Sequence, residues 1–312
     1  MRVLLALGGN AMTDAQGRAR VEDQVAAARV AMSAVADLLT RPDPVDVVIT
    51  HGNGPQVGNL LVKNELAAAV VPPVPLDWCG AQTQATLGNV LLNALDDALH
   101  ARGATRPTAA LVTRTLVDPH DPGFAVPTKP IGRYLDAVEA ATMMEHGEVW
   151  QDRGEKGWRR VVASPAPLEI IDAPAVLALV EAGFVVVAAG GGGIPTVREE
   201  DGYRGVEAVI DKDLSAALLA RTVDADVLVI ATDVSHAVLG FGTPQATPVG
   251  RVDVTTMSGY ADAGHFASGS MGPKVEAALR FVRATGRPAV ITDLDSIVDA
   301  VAGSGGTVVV PD

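Results

Sequence analysis

The chain has 312 residues, of which 48% are hydrophobic and 20% are charged, and its net charge is −13. This composition is typical of a globular protein, and the negative charge argues against nucleic acid and anionic membranes as partners. The single cysteine, Cys79, excludes an intrachain disulfide framework and a metal site built from several cysteines. We therefore expect a cytoplasmic protein without a signal peptide or a bilayer-spanning segment.

The first two predicted strands each end in a glycine turn. Val3 to Leu7 is a continuous apolar run that stops at Gly8-Gly9-Asn10, as expected of a parallel strand covered on both faces. After an amphipathic helix over 22–39, a strand over 45–50 leads to Gly52-Asn53. A strand, a glycine turn and a helix place backbone amides at the carboxyl edge of a parallel sheet. We expect the two turns to face one crevice if their strands are neighbours.

A segment of different texture follows. Helices are predicted over 60–70 and 80–102, and the glutamine and asparagine side chains of the second are expected to be structural or to lie at a subunit contact. After a strand over 108–113, residues 115–167 are rich in proline and glycine. We interpret this segment as a small protruding subdomain that covers a site like a lid. Within it, Lys129 is flanked by prolines that stiffen its backbone.

The stretch 184–214 combines a buried strand, four glycines and a charged triplet. Its apolar run leads into Gly190 to Gly193, where the missing Cβ atoms let backbone amides, including those of Gly191 and Gly192, approach an anion. A second apolar stretch then delivers Asp211-Lys212-Asp213 to the start of a predicted helix, which would hold the lysine in a fixed direction. Taken alone, the stretch is explained equally well by a tight turn and a capped helix.

A second candidate anion site lies near the end of the chain. A loop of glycine and serine, 268–272, brings Lys274 to the start of a helix that extends to residue 282. Such a loop is chemically a phosphate cradle, although its spacing is not that of a Walker A motif. The other predicted elements are a helix over 172–182 capped by Asp172, a strand over 226–231 that ends at Thr232-Asp233, a loop over 238–252, strands over 289–292 and 307–310, and a helix over 294–302.

Lysine is scarce in this chain. There are five lysines and nineteen arginines, and three of the lysines stand in PTKPIG, VIDKD and GSMGPK. An ammonium group is a compact point charge that can approach a single phosphoryl oxygen. We interpret Lys129, Lys212 and Lys274 as candidates for holding a phosphate, while chance and codon bias would give the same placement without function.

The motifs together resemble one known family. The chain contains ALGGNA, THGNGPQVG, PLDWCGAQTQ, DPHDPGF followed by PTKPIG, GGGGIP, EAVIDKDLSAALLA, GFGTPQ and GHFASGSMGPKVEAALRFV. Over essentially its whole length it resembles the carbamate kinases of the amino acid kinase superfamily. The resemblance implies one domain over 1–312, an α/β three-layer αβα sandwich with a mainly parallel central sheet, from which the 115–167 subdomain protrudes. It also implies an acid-binding half of about 1–170, a nucleotide-binding half of about 171–312, and a homodimer.

The resemblance also implies an activity and a set of site residues. The reaction is reversible, Mg²⁺-dependent phosphoryl transfer between ATP and carbamate, which gives ADP and carbamoyl phosphate. Such transfer needs positioning and charge stabilisation rather than a covalent nucleophile. The implied catalytic residues are Lys129, Lys212, Asp211 and Asp213; the moving group and the acid would be bound by Gly8, Gly9, Asn10, Gly52, Asn53, Gly191 and Gly192; the nucleotide would be bound by Lys274, Asp233, Gly269, Met271 and Gly272. No dedicated protein ligand set for Mg²⁺ is expected, because this ion binds largely through phosphates and water.

The chain departs from the family pattern at three places. These are Ala85 to Asn89, Arg133 and Ser235 to Gly240. Arg133 adds a cation beside Lys129, which would suit a larger or more anionic acceptor. Two alternatives therefore stay open: a kinase of the same fold that acts on a different small carboxylate, and a nucleotide sensor without catalysis.

Overall fold

The computed structural model describes residues 1–8, 20–43, 45–266 and 271–312. Its helices are α1 (Val21–Leu39), α2 (Gly54–Ala67), α3 (Leu76–Ala101), α4 (Pro122–Ala125), α5 (Ala137–Glu145), α6 (Ala173–Glu181), α7 (Lys212–Thr222), α8 (Val254–Asp262), α9 (Met271–Thr285) and α10 (Ile297–Val301). Its strands are β1 (Arg2–Leu7), β2 (Asp46–His51), β3 (Thr108–Ala110), β4 (Arg114–Val117), β5 (Lys129–Leu135), β6 (Trp150–Asp152), β7 (Trp158–Val162), β8 (Pro167–Ile170), β9 (Val185–Val187), β10 (Ile194–Glu199), β11 (Gly202–Gly205), β12 (Val227–Thr232), β13 (Val238–Leu239), β14 (Thr247–Pro248), β15 (Arg251–Asp253), β16 (Ala289–Asp293) and β17 (Thr307–Val310).

The main sheet is predominantly parallel. Within the described residues it has eight strands, in the order β15-β17-β16-β12-β1-β2-β9-β3. Its neighbouring strands are parallel except for β16 and β17, which are antiparallel. The order places β9, from the second half of the chain, between β2 and β3 of the first half. The two halves of the sequence therefore share one sheet.

Alternate residues of β1 enter two different hydrophobic cores. Val3, Leu5 and Leu7 belong to a core that includes buried residues of α1, α3 and α10. Leu4 and Ala6 belong to a core on the opposite face, with buried residues of α6, α7 and α9. Continuous apolar strands are what a sheet covered on both faces requires. The predicted three-layer αβα sandwich is confirmed.

Two smaller sheets stand beside the main one. The sheet β5-β7-β6 lies within residues 115–167, together with α5. The sheet β11-β10-β4-β8 joins the strands at the two ends of that segment to the hairpin formed by β10 and β11. The segment is therefore attached to the body through paired strands at both of its ends, and β5 packs on α2.

Several predicted boundaries are wrong for local physical reasons. The helix predicted from residue 60 begins at Gly54, because Pro55 is well suited to a first helical turn. Asp172 stands at the N-terminus of α6 but does not cap it with its side chain. Its carboxylate instead accepts hydrogen bonds from the Arg114 backbone and guanidinium, both at 2.7 Å. The predicted loop 238–252 contains the β13-β14 hairpin.

None of the helices in the described part of the chain is both long and apolar enough to cross a membrane.

Candidate active site

Several strand ends meet at one edge of the main sheet. Leu7 is in register with His51 of β2 and with Ala231 of β12. Thr232 is in register with Asp293 of β16. These ends open onto a cavity of about 700 Å³, at the edge where parallel α/β sheets bind ligands. The cavity is lined by Gly8, Val30, Gly52, Asn53, Gly54, Pro55, Lys129, Pro130, Gly191, Val209, Ile210, Asp211, Lys212, Asp213, Ala231, Thr232, Asp233, Pro273, Lys274, Asp293, Leu294 and Asp295.

Three lysines and two aspartates form a linked cluster in this cavity. Lys129 Nζ lies 2.9 Å from Asp211 Oδ2. The carboxylate of Asp213 bridges the other two lysines, with Oδ1 bound to Lys212 and Oδ2 at 3.3 Å from Lys274 Nζ. Three elements that are distant in sequence, β5, α7 and α9, therefore bring their ammonium groups to one place. Three ammonium groups against two carboxylates leave one positive charge in excess.

Asp211 has two structural roles: it is the N-cap of α7, and it pairs with Lys129. Its Oδ1 accepts hydrogen bonds from the backbone amides of Asp213 at 2.9 Å and Leu214 at 3.4 Å, as a capping aspartate does. Its Oδ2 accepts from Lys129. Burial alone would raise the pKa of Asp211, but the charge and hydrogen bond of Lys129 hold that pKa below its usual value. Asp211 therefore stays ionised and fixes the direction of Lys129.

Lys212 is held in a setting that favours an incoming anion. Burial lowers the pKa of its ammonium group. The carboxylate of Asp213 opposes this shift, while the positive charge of Lys274 adds to it. An anion placed between the two lysines would offset both the burial and the repulsion.

The backbone amides of Gly8 and Gly52 have partners within the main sheet. The Gly8 amide donates to the Ala231 carbonyl at 2.8 Å, and the Gly52 amide donates to the Leu7 carbonyl at 3.1 Å. These hydrogen bonds join the ends of neighbouring strands. Both glycines nevertheless line the cavity. A Cβ on Gly8 would lie 3.0 Å from the Ala231 carbonyl oxygen.

The glycine turn contributes Gly191 to the cavity but not Gly192. Gly191 packs against Asn53 so closely that a Cβ on it would lie 2.2 Å from Asn53 Nδ2. Both residues line the cavity. Gly192 lies behind this wall, where its carbonyl accepts from the hydroxyls of Thr115 and Ser215, each at 2.8 Å. Gly192 therefore supports the turn and does not line the cavity.

Of the residues predicted to bind the nucleotide, the structure places Lys274 and Asp233 in the cavity wall but not Met271 or Gly272. Met271 packs against a hydrophobic core. A Cβ on Gly272 would lie 2.9 Å from the Phe266 carbonyl oxygen, which explains the need for glycine there. The predicted residues Gly9, Asn10 and Gly269 lie outside the described residues.

The chain is similar in sequence and in fold to known proteins. The model of the "Amino acid kinase family" matches residues 1–293. The chain belongs to the amino acid kinase family. It is 45% identical to a carbamate kinase of Thermococcus kodakarensis over 99% of both chains, and 43% identical to one of Trichomonas vaginalis over 100% of both. A solved structure, a carbamate kinase from Giardia lamblia bound to AMP-PNP, superposes with a TM-score of 0.93 at 39% identity and covers 100% of this chain and 98% of that one. The resemblance seen in the sequence motifs is confirmed.

Sequence reasoning missed two kinds of residue in this amino acid kinase. Asp293 and Asp295 line the cavity beyond the end of β16. Their position after an apolar strand was an available signal, like that of Asp233 after β12. His51 is of the second kind, and the sequence gave only a weak signal for it. It is buried beneath the cavity wall, where its Nδ1 donates a hydrogen bond to the Gly52 carbonyl oxygen at 2.9 Å. Burial lowers the pKa of His51 to about 4, so the ring is neutral.

The three departures from the family pattern lie away from the cavity of this amino acid kinase. Arg133 points to α2, where its Nε lies 3.2 Å from Glu65 Oε2, and it is not among the lining residues. Neither 85–89 nor 235–240 contributes to the wall. The first departure lies on α3 and the last includes β13.

Proposed function

We propose that this protein is a carbamate kinase, which transfers a phosphoryl group reversibly between ATP and carbamate. The observation that carries the proposal is the convergence of Lys129, Lys212 and Lys274 on one cavity, with their directions fixed by carboxylates. The similarity to carbamate kinases over the whole chain supports carbamate as the acceptor.

The lysine cluster suits the charge distribution of phosphoryl transfer. A carbamate oxygen attacks the γ-phosphorus of ATP, and the bond from that phosphorus to the β–γ bridging oxygen breaks, so that no proton has to move. Negative charge is spread over the three equatorial oxygens of the moving group. Lys212 and Lys129 would stabilise this charge, and Asp211 and Asp213 would hold the two lysines in place before the substrates arrive.

The two substrates would enter from opposite sides of the cluster. Asn53 and Gly191, near the ends of β2 and β9, would bind the carbamate or carbamoyl end. Lys274 and Asp233, on α9 and after β12, would face the nucleotide phosphates. The first turn of α2 begins at the cavity wall and offers the positive end of its helix dipole to an anion.

A magnesium ion would accompany the nucleotide. No group of three or more His, Cys, Asp or Glu suited to a metal ion occurs in the part of the chain that the structure describes. The donors that are present fit an ion held mainly by phosphate oxygens, since Asp233, Asp293 and Asp295 line the cavity without forming such a group. When bound, the ion supplies positive charge to the nucleotide phosphates.

The acceptor is proposed to be small. The sequence pointed to Arg133 as a cation suited to a larger or more anionic acceptor, but its guanidinium is paired with Glu65 outside the cavity. The cationic side chains that line the cavity are Lys129, Lys212 and Lys274, among the residues described. This arrangement supports carbamate over a second carboxylate substrate with more charge.

We also propose a homodimer that works in the cytoplasm. Trp78 and Leu168 are 60% and 52% exposed, and a second subunit would cover them. The lone thiol, Cys79, is buried and suits a reducing compartment. Light scattering should give twice the chain mass of 32.0 kDa, and the chain mass itself would contradict the dimer.

The decisive experiment measures ATP formation from ADP and carbamoyl phosphate with each of the five lysines replaced by alanine. Lys129→Ala, Lys212→Ala and Lys274→Ala should each lower kcat/KM by about 10²–10³-fold, as expected for loss of one preorganised charge. Lys63→Ala and Lys156→Ala are matched controls, because both side chains are exposed outside the cavity. They should keep the wild-type rate.

The same assay separates the alternatives. If the wild-type protein forms no ATP from carbamoyl phosphate but phosphorylates another small carboxylate, that carboxylate replaces carbamate as the acceptor. Binding of ADP with no turnover of any acceptor would indicate a sensor. If the variants of Lys129, Lys212 and Lys274 were as active as the two controls, the proposed mechanism would be wrong.

A further inference from the structure

Ala189 adopts a backbone conformation that alanine rarely occupies. It has φ 52° and ψ 31°, in the left-handed helical region, and its side chain is fully buried. This region disfavours a residue with a Cβ, so the surrounding structure must hold it there. Ala189 immediately precedes the glycine turn that contributes Gly191 to the cavity.

Two buried threonines hold the backbone of Ala189 on both sides. The Ala189 amide donates to Thr113 Oγ1 at 2.8 Å, and Thr50 Oγ1 donates to the Ala189 carbonyl at 2.9 Å. Both threonine side chains are 0% exposed. A buried hydrogen bond of this kind leaves an unsatisfied backbone group when its partner is removed.

Thr113 is itself fixed from α3. The Thr113 amide donates to Gln84 Oε1 at 2.7 Å, and Gln84 Nε2 donates to the Thr113 carbonyl at 3.1 Å. Since Thr113 Oγ1 accepts from Ala189, its own hydrogen points to Gln84 Oε1, 3.4 Å away. A directed series of hydrogen bonds therefore runs from α3 through Thr113 to the start of the glycine turn.

The glycine turn is packed so closely against its neighbours that it cannot accommodate a shift at Ala189. A Cβ on Gly190 would lie 2.4 Å from His51 Nε2, and one on Gly191 would lie 2.2 Å from Asn53 Nδ2. Asn53 is in turn bound through Nδ2 to Thr83 Oγ1 of α3, at 2.8 Å. A change of backbone conformation at Ala189 would therefore displace the part of the cavity wall formed by Gly191 and Asn53.

We infer that Thr113 is a positioning residue: by holding Ala189 in the left-handed conformation, it sets Gly191 and Asn53 at the acid-binding side of the cavity. This inference rests on the proposed function. Its effect is specific to one substrate, because the nucleotide side, with Lys274 and Asp233, is built on α9 and the end of β12.

The test compares Thr113→Val, which keeps the shape but removes the hydroxyl, with Thr113→Ser, which keeps the hydroxyl. In ATP formation, Thr113→Val should raise KM for carbamoyl phosphate, or lower kcat/KM for it, by about tenfold, the loss expected for one buried hydrogen bond. KM for ADP should stay within about twofold, and Thr113→Ser should resemble the wild type.

Ala189→Gly provides the rescue. Glycine adopts the left-handed region without a steric cost, so Thr113→Val combined with Ala189→Gly should recover at least about threefold of the lost kcat/KM. If Thr113→Val does not fold, the same split and rescue are read from Thr50→Val, which removes the other hydrogen bond to Ala189.

A merely structural Thr113 would give a lower melting temperature with unchanged KM values, equal effects on both substrates, or no rescue by Ala189→Gly. Each of these results would overturn the inference. A wild-type protein without activity would instead overturn the proposed function, so the two failures are distinguishable.

Discussion

Asp213 is the carboxylate shared by Lys212 and Lys274, and its side chain is only 4% exposed. Asparagine at this position keeps the shape but loses the charge that holds two ammonium groups in place. We expect Asp213→Asn to lower kcat/KM for ATP formation by about 10²-fold. Asp224→Asn is the control, because Asp224 pairs with Arg287 while 78% exposed and such pairs contribute little. Equal activity of the two folded variants would contradict the role of Asp213.

His51 makes the stability of the fold depend on pH. Burial holds its pKa at about 4 in the folded protein, against an ordinary 6.5. As pH falls below 6.5, the unfolded chain gains a proton that the folded protein cannot bind, so stability is lost down to about pH 4. Between pH 7.5 and pH 5 this loss amounts to about 2 kcal/mol.

Urea unfolding at the two pH values measures this contribution. The loss of unfolding free energy should be about 2 kcal/mol smaller in His51→Asn than in the wild type. His100→Asn is the matched control, since His100 is exposed in the last turn of α3. An identical loss in His51→Asn and wild type would show that His51 is already protonated at pH 5.

At the residue scale, the sequence could predict side chains whose chemistry is their function. Lys129, Lys212 and Lys274 stand in distinctive motifs, and the cavity indeed brings them together. The sequence could not predict where a backbone amide points, because hydrogen bonds between strand ends are set by register. The amides of Gly8 and Gly52 are examples. Nor could it predict Thr113, whose importance depends on a contact with a residue 76 positions away.

At the scale of the element, the strand β5 that carries Lys129 depends on Gly132. This residue has φ 68° at an irregularity in the pairing of β5 with β7. Gly132→Ala should lower the free energy of unfolding by about 1–2 kcal/mol, because a Cβ disfavours the left-handed region. It should also lower the rate of ATP formation through displacement of Lys129.

The matched substitution is Gly259→Ala, in the exposed interior of α8. A Cβ there would meet nothing within 4 Å, and alanine is favoured over glycine in a helix by about 0.8–1.0 kcal/mol. Gly259→Ala should therefore stabilise the protein, whereas Gly132→Ala destabilises it. Thermal melts of both variants check the signs; stabilisation by Gly132→Ala would show that the backbone there is not constrained.

Elements with long apolar or amphipathic patterns were predicted well, because burial alone selects them. The strands β1, β2 and β12 and the helices α1, α3 and α9 are within a few residues of their predicted bounds. One error occurred where a side chain had two possible partners. Asp172 could cap α6 or bind Arg114, and in the tertiary structure it binds the guanidinium of Arg114.

At the scale of the whole molecule, the structure leads us to expect one cooperative unit rather than two independently folding halves. β1 pairs with β2 of the first half and with β12 of the second. β3 pairs with β9, which comes from the second half. A fragment of residues 1–170 would thus lose neighbours of both β1 and β3 and leave their backbone groups unpaired.

We therefore predict that fragments 1–170 and 171–312, expressed separately, show no cooperative thermal transition by circular dichroism, whereas the full chain melts in one. For the full chain, calorimetry should give an unfolding enthalpy of about 0.7 kcal/mol per residue near 60 °C. In the absence of dissociation, the van't Hoff enthalpy should be equal to it. A van't Hoff value near half the calorimetric one, or a fragment that melts cooperatively, would mean that the two halves of the chain fold separately. Because the cavity is built from strand ends of both halves, a single unit also requires that its wall forms only when the whole sheet does.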